Sequence, residues 1–288
     1  MDSAFREHLQ AGESLGLRYA LALPQSALAG QTGTRIGRRA GSSIDFQDYR
    51  EYQPGDDLRS IDWNVFARSD RLTIKLFREE VNPHLDLVLD GSRSMRLDGS
   101  QKSAALIRIA AALAMAAENA QCTHAAWLAG DGFHRIANDA LRPTAWDGLA
   151  FESKRTMEEA FAIMPPRLRR LGIRVLVSDL LWPGSPMSVL RRLSDSAAEV
   201  FVIQLLARAD IEPPEHGNIH LVDSETGEGL DLFVDAVTAG QYRDNLARHR
   251  QAWHDACRQC GARLVPVADD DFDAALKSLE EAAVLVPS

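Results

Sequence analysis

The stretch that decides the fold runs from His84 to Ser103 and reads HLDLVLDGSRSMRLDGSQKS. It opens with an apolar run in which Asp86 is the one charge before Asp90. A continuous apolar run bounded by turn formers is typical of a strand buried in a sheet. The segment from Lys102 to Ala120 is rich in Ala, Leu and Ile and predicts a helix. The stretch therefore predicts a buried strand, a polar loop and a helix in succession.

The polar loop has the pattern Asp-x-Ser-x-Ser, formed by Asp90, Ser92 and Ser94. These side chains offer one carboxylate and two hydroxyls, the hard oxygen donors that Mg²⁺ prefers. Because Asp90 is the single charge among them, a bound cation stays net positive and attracts a carboxylate from outside. The loop therefore predicts a docking site for Mg²⁺, with Mn²⁺ as the other candidate. An alternative to the metal site remains, in which Asp90 caps the next helix and the two serines are ordinary turn residues.

Two later segments bring further oxygen donors towards this loop. Ile173 to Leu181 reads as a second buried strand, whose end presents Asp179. Ligand-binding groups of an open parallel sheet collect beyond the carboxyl ends of its strands, so Asp90 and Asp179 are expected at one edge. Thr156 opens a helical segment, where it either adds a third hydroxyl to the site or serves as an ordinary helix N-cap.

Taken in order, these residues resemble the metal-ion-dependent adhesion site of von Willebrand factor A domains. In that family the two serines and a loop threonine contact the metal, and the later aspartate acts mostly through water. The resemblance implies an α/β fold of Rossmann-like type, with a mostly parallel central sheet and helices on both faces. It also implies a metal-binding set made of Asp90, Ser92, Ser94, Thr156 and Asp179.

The rest of the chain alternates between strand and helix patterns, which favours a mostly parallel sheet covered on both faces. Asp131-Gly132 and Ser224 to Gly227 are turn signals that predict two hairpins, the second at an edge. Further strands are predicted at Thr123 to Leu128, Phe133 to Ala137, Val200 to Leu206 and Arg263 to Val267. Further helices are predicted near Thr144 to Leu149, Lys154 to Met164, Ser188 to Ser196, Ala239 to Cys260 and Asp271 to Ala282.

A second block of sequence, Phe46 to Glu80, precedes the first strand of this pattern. It contains Tyr52 to Asp57, with a Pro-Gly turn, then Arg59 to Trp63, and Ala67-Arg68. These elements closely resemble the characteristic block of domain-of-unknown-function family 58, in which they directly precede an A-type domain. We therefore predict a helical and flexible segment at 1–40, the family block as a small β-rich N-terminal extension at 41–80, and the von Willebrand factor A-like domain at 81–288.

The family resemblance implies a non-enzymatic partner of MoxR-type AAA+ ATPases, working in chaperone-like assembly or maturation of other proteins. The sequence has no Gly-x-x-x-x-Gly-Lys-Ser/Thr, so nucleotide hydrolysis is expected from the partner. A metal-dependent phosphatase is one alternative, but Ser92 stands where such enzymes carry an acid for proton transfer. A purely structural interaction protein without metal is the other alternative.

Net charge, apolar segments and cysteine spacing disfavour several classes of partner, location and site. The net charge of -9 and the pI of about 5.4 disfavour a phosphate-backbone partner, so no nucleic acid is expected. The first residues do not form a secretory signal, and the most apolar helix is too short for a bilayer span, so no membrane segment and a cytoplasmic location are expected. Cys257 and Cys260 have Cys-x-x-Cys spacing but follow a long helix and lack a second pair for zinc.

Overall fold

A computed structural model describes residues 3–24, 44–56, 58, 61–79, 83–97, 99–212 and 217–288. The chain divides into two compact units, one made of Met1–Ala22 and Pro83–Ser288 and the other of Leu23–Asn82. The boundary after Asn82 lies close to the predicted one at 80, whereas the N-terminal helix, predicted within a separate segment 1–40, belongs to the unit that contains the sheet. Residues 25–43 lie outside the described residues.

The strands and helices of the described chain follow the alternating order that the sequence predicts. The strands are β1 Tyr19–Leu21, β2 Ile44–Glu51, β3 Thr73–Glu79, β4 His84–Asp90, β5 Thr123–Gly130, β6 Gly132–Arg135, β7 Ile173–Ser178, β8 Glu199–Leu206, β9 Gly217–Val222, β10 Gly229–Val234, β11 Arg263–Ala268 and β12 Leu285–Pro287. The helices are α1 Ser3–Gly16, α2 Trp63–Ser69, α3 Lys102–Asn119, α4 Met157–Ile163, α5 Pro186–Ser194, α6 Arg208–Ile211, α7 Ala236–Cys260 and α8 Phe272–Glu281.

The central sheet has six strands in the order β11-β8-β7-β4-β5-β6. All neighbouring pairs are parallel except β5 and β6, which form an antiparallel hairpin around Asp131. The chain runs from β4 outward to β5 on one side and returns to β7 on the other. The two strands that carry Asp90 and Asp179 at or just past their ends are therefore direct neighbours at the point where the strand order reverses. Ligands of open α/β sheets bind at such a point.

Helices cover both faces of this sheet because alternate residues of its buried strands point to opposite sides. On one face, Val88, Leu176 and Val202 form a buried cluster with α4, α5 and α7. On the other face lies α3, which contacts β4, β5, β7 and β8 and is buried over most of its length. The α/β architecture with a mostly parallel sheet is confirmed.

The N-terminal helix α1 packs directly on α3. Phe5 and Leu9 of α1 are buried, and the backbones come so close that a Cβ at Gly12 would lie 2.3 Å from the carbonyl oxygen of Arg108. Strand β1 then pairs antiparallel with β12, so that Leu21 faces Leu285. These contacts explain why the first 22 residues group with the sheet.

Two local predictions differ from the structure. The helix predicted at Thr144 to Leu149 is a single 3₁₀ turn, Pro143–Ala145. The strand predicted to reach Leu181 ends at Ser178. Leu180 adopts a left-handed φ of +61°, which is incompatible with the extended backbone of a strand. The second predicted hairpin is confirmed as β9 and β10, which pair antiparallel around the turn that contains Glu225, but they form a separate two-stranded sheet and not an edge of the central sheet.

The second unit contains β2, β3 and α2. The two strands pair antiparallel, with a bulge between Phe46 and Asp48. Asp62 caps α2 by accepting hydrogen bonds from the backbone N–H groups of Asn64 and Val65. Asp57 and Arg59 of the family block lie outside the described residues.

No helix within the described ranges combines the length and apolar character that crossing a membrane requires.

Candidate functional site

The loop after β4 holds the predicted Asp-x-Ser-x-Ser residues close together. Asp90 is buried, and its Oδ1 accepts a hydrogen bond from the backbone N–H of Ser92 at 2.9 Å. The hydroxyl oxygens of Ser92 and Ser94 are 2.9 Å apart, so one hydroxyl donates to the other. Gly91 lets the loop approach β5, because a Cβ there would lie 2.3 Å from the carbonyl oxygen of Ala129. The loop thus presents three adjacent oxygen-bearing side chains.

The end of β7 meets this loop through Ser178 and Asp179. The Ser178 hydroxyl donates to Oδ2 of Asp90 at 2.5 Å. Burial raises the pKa of Asp90 to about 6, and the charge of Asp179 adds to this rise, while hydrogen bonds from Ser178 and Ser92 oppose it. The carboxyl groups of Asp90 and Asp179 therefore interact electrostatically at one edge of the sheet, as the sequence predicts.

Lys102 also lies at this edge of the sheet, and the sequence analysis did not include it among the site residues. Its side chain is 1 % exposed, and its Nζ lies 2.9 Å from Oδ2 of Asp179 and 3.1 Å from Oδ2 of Asp210. Burial alone would lower the pKa of Lys102, but the charges of both carboxylates and their hydrogen bonds raise it. A signal was available in the sequence, because a lysine at the first position of an apolar helix opposes the helix dipole and needs a carboxylate partner.

Thr156 lies on the loop that faces the Asp90 loop. Ser153 of that loop bridges to Ser92, and its carbonyl oxygen accepts from the N–H of Arg93 at 3.0 Å. The Thr156 hydroxyl, however, accepts from the N–H of Glu159 at 3.2 Å, and the Glu159 carboxylate accepts from the N–H of Thr156 at 2.9 Å. This reciprocal pair is a capping box for α4, so the N-cap alternative has direct geometric support.

A carboxylate from the β9–β10 turn also reaches the Asp90 loop. Oε1 of Glu225 accepts a hydrogen bond from the backbone N–H of Ser94 at 3.1 Å, across 131 residues of sequence. The Ser224 hydroxyl donates to the other carboxylate oxygen of Glu225. The sequence predicts the hairpin but carries no signal for this long-range contact.

A cavity of about 750 Å³ opens beside the loop, between the ends of β4 and β5 and the Thr156 loop. Gly91 lies in its wall, and the charged side chains around it have both signs. These are Asp131, Glu152, Lys154 and Arg155. The cavity borders the Asp90 loop at Gly91, and its lining residues do not include Asp90, Ser92 or Ser94.

A family model described as "Protein of unknown function DUF58" matches residues 48–252 of this chain. The chain belongs to the DUF58 family. This match covers most of the Phe46–Glu80 block, the Asp90 loop and Asp179.

Curated relatives of this DUF58 chain are uncharacterized. The protein Rv1480 of Mycobacterium tuberculosis is 27% identical over 260 residues, which cover 83% of this chain and 78% of the relative. The protein MAV169 of Mycobacterium avium is 34% identical over 104 residues, which cover 35% of this chain and 60% of the relative.

Solved structures similar to this DUF58 chain include a von Willebrand factor type A protein from Catenulispora acidiphila. It has 10% identity and a TM-score of 0.38, and the match covers 73% of this chain and 44% of that one. Another is an aerotolerance-related membrane protein from Bacteroides fragilis, with 12% identity, a TM-score of 0.36 and coverage of 70% and 98%. Since such a neighbour is a membrane protein, the predicted cytoplasmic location is corrected and withdrawn.

The oxygen donors of this DUF58 chain fit a hard cation in their chemistry. Asp90, Ser92 and Ser94 supply a carboxylate and two hydroxyls from one loop, a donor set suited to Mg²⁺. Across the described ranges, no three His, Cys, Asp or Glu side chains gather at a spacing that would hold a metal. A cation at the loop would therefore depend on hydroxyl and water ligands beside one carboxylate.

The cysteine pair that the sequence singles out, Cys257 and Cys260, lies among packed side chains. Burial raises the pKa of Cys257 to about 12, which keeps its thiol protonated. The sulfur of Cys260 lies 3.4 Å from the sulfur of Met187. Both cysteines are free, and their contacts are those of packed side chains.

Proposed function

We propose that this DUF58 protein is a non-enzymatic protein-interaction module that binds an acidic residue of a partner through Mg²⁺ held by Asp90, Ser92 and Ser94. The observation that carries the proposal is the meeting of these three residues with Ser178 and Asp179 at the switch point of the sheet. Similarity to a von Willebrand factor type A structure agrees with an interaction role for the fold.

In this proposal, each residue around Asp90 has a separate role in the site. Ser178 and the N–H of Ser92 hold both oxygens of Asp90 in fixed positions. Ser92 and Ser94 present adjacent hydroxyl oxygens towards the same side of the loop. When bound, Mg²⁺ supplies an exchangeable coordination position for an outside carboxylate. Asp179 adds negative charge next to Asp90, part of which the Lys102 ammonium group offsets at 2.9 Å.

The partner in this proposal is a MoxR-type AAA+ ATPase, acting with the module in chaperone-like assembly or maturation. This part rests on family resemblance. A purified ATPase of that type should bind the wild-type chain in Mg²⁺ and lose binding when Asp90 is changed to Asn. Equal binding by the wild type and the D90N variant would contradict docking through this loop.

Isothermal titration with Mn²⁺ or Mg²⁺ tests the metal itself. The D90N variant keeps the shape of the buried side chain and removes its charge, so we expect its affinity to fall at least about tenfold. The matched control is Asp131→Asn, because Asp131 is exposed beside the same cavity. Its affinity should stay within about twofold. Wild-type protein that binds neither ion, alone or with the partner, would remove the basis of the proposal.

A metal-free interaction module is the second candidate, favoured by Lys102. Its ammonium group already supplies a positive charge to Asp179 and Asp210, which a cation would otherwise provide. The same titration separates the two candidates. Turnover of a generic phosphate ester that disappears in the D90N variant would instead support the phosphatase alternative.

A further inference from the structure

The β9–β10 hairpin contributes a charged group to the loop that carries the proposed site. Glu225 lies at its turn and is half-buried, although most of the turn is exposed. Its Oε1 accepts the N–H of Ser94 at 3.1 Å. A carboxylate that accepts a backbone N–H makes a charge-assisted hydrogen bond, which is stronger than a neutral one. An acid from the chain itself therefore already contacts the donor loop.

The turn is built to hold Glu225 in one position. Oδ1 of Asp223 accepts from the N–H groups of Glu225 at 3.1 Å and Thr226 at 2.6 Å, and from the Thr226 hydroxyl at 2.8 Å. These hydrogen bonds lower the pKa of Asp223, with those from Thr226 the largest cause. Gly227 adopts a φ of +77°, which glycine tolerates without strain. The Ser224 hydroxyl completes the turn by donating to Glu225.

The hairpin itself is weakly anchored to the rest of the sheet unit. Of the residues in Gly217–Val222 and Gly229–Val234, Val234 alone is buried. Leu221 and Leu230 face each other across the pair and remain largely exposed. Elements with few buried apolar contacts open at low free-energy cost. The hairpin therefore has a rigid tip on a base that can move as a unit.

We propose that Glu225 is an intramolecular acidic ligand of the Asp90 loop, holding the position that the acidic residue of a partner would take. This inference rests on the proposed function and adds a regulatory step to it. Because Glu225 belongs to the same chain, its effective concentration at the loop is high. A partner's acid must displace it, so the hairpin lowers affinity for any acid that does not also engage the surrounding surface.

The first test measures amide hydrogen exchange in metal-free protein. The variants are Glu225→Ala and Glu225→Gln, and the matched control is Glu228→Ala, which removes the same charge from the same exposed turn. We expect exchange in the segment 92–97 to quicken about tenfold in both Glu225 variants, as the loss of a charge-assisted hydrogen bond predicts. The E228A variant should match the wild type. Equal exchange in the E225A and E228A variants would overturn the inference.

The second test uses Mn²⁺ as the probe and acetate as a free carboxylate. In the E225A variant we expect Mn²⁺ affinity to fall about tenfold and to recover when acetate replaces chloride at equal ionic strength. The wild type and the E228A variant should respond little to acetate. Failure of acetate to change the E225A variant overturns competition for one position. Wild-type protein that binds no Mn²⁺, alone or with the partner, refutes the proposed function instead, and hydrogen exchange then decides the hairpin contact.

Discussion

At the scale of single residues, Lys102 sets the electrostatics of the site edge. It begins α3, the most apolar of the described helices, where the helix dipole disfavours a positive charge. The carboxylates of Asp179 and Asp210 offset both this cost and the cost of burial. Removing one member of a buried ion network leaves the remaining charges without compensation.

We expect Lys102→Met to lower the free energy of unfolding by roughly 3–5 kcal/mol, because two carboxylates lose their partner. Urea denaturation monitored by circular dichroism measures this change. Lys277→Met is the control, since Lys277 is exposed on α8, and it should change stability by less than about 0.5 kcal/mol. A K102M variant as stable as the control would show that the ammonium group contributes no net stability.

At the scale of elements, helix ends and helix contacts fix the frame around the site. The capping box of Thr156 and Glu159 fixes the start of α4, and therefore the loop that faces Ser92. On the other face of the sheet, α1 reaches α3 through two glycines, Gly12 and Gly16. Both features are local in sequence, but their partners are set by packing.

Thr156→Ala should lower stability by about 1 kcal/mol, because the first turn of α4 loses the acceptor for its N–H group. Thr156→Ser should lower stability much less, since serine caps the start of a helix as well as threonine does. Thermal denaturation provides the measurement, and Mn²⁺ titration of the T156A variant adds a second one. A fall in Mn²⁺ affinity beyond about tenfold would assign Thr156 to the metal set as well as to the cap.

Gly12→Ala should destabilise the protein by about 1–3 kcal/mol, because the new methyl group meets the Arg108 carbonyl and forces the two helices apart. Gly240→Ala provides a matched helical control. No heavy atom lies within 4 Å of the position its Cβ would take, so the helix propensity of alanine should stabilise α7 by about 0.5–1 kcal/mol. Chemical denaturation should therefore give shifts of opposite sign.

At the scale of the whole chain, its two ends are joined within the sheet unit. Strand β1 pairs with β12, and Leu21 and Leu285 are buried directly opposite each other. The unit of residues 23–82 is thus inserted into a fold whose first and last segments pack together. Stability of the sheet unit should depend on both ends at once.

Leu21→Ala and Leu285→Ala should each cost about 2–5 kcal/mol of stability, as buried leucines do. Since the two side chains face each other, the double variant should depart from additivity by about 0.5 kcal/mol or more. Val286→Ala is the control, because Val286 is 41% exposed, and it should have a small effect. Additive losses in urea denaturation would contradict direct coupling between the chain ends.

The sequence by itself determined the parts of this protein that depend on local pattern. The apolar runs ending at Asp90 and near Asp179 fixed two buried strands, and the parallel-sheet rule placed their ends at one edge. The Asp131-Gly132 turn and the family block at Phe46 to Glu80 could likewise be predicted from the local order of residues. The metal assignment stays a prediction that the titrations test, and the non-enzymatic role stays one that the phosphate-ester assay tests.

Tertiary structure alone decided which distant groups meet. The pairing of Lys102 with Asp210, the contact between Glu225 and Ser94, and the packing of α1 on α3 each join segments far apart in sequence. Local propensity and hydrophobic periodicity report how a segment folds and which side it buries, but not which remote surface covers it. That choice comes from burial of charge and apolar surface in the assembled fold, where each group is satisfied only by its partners.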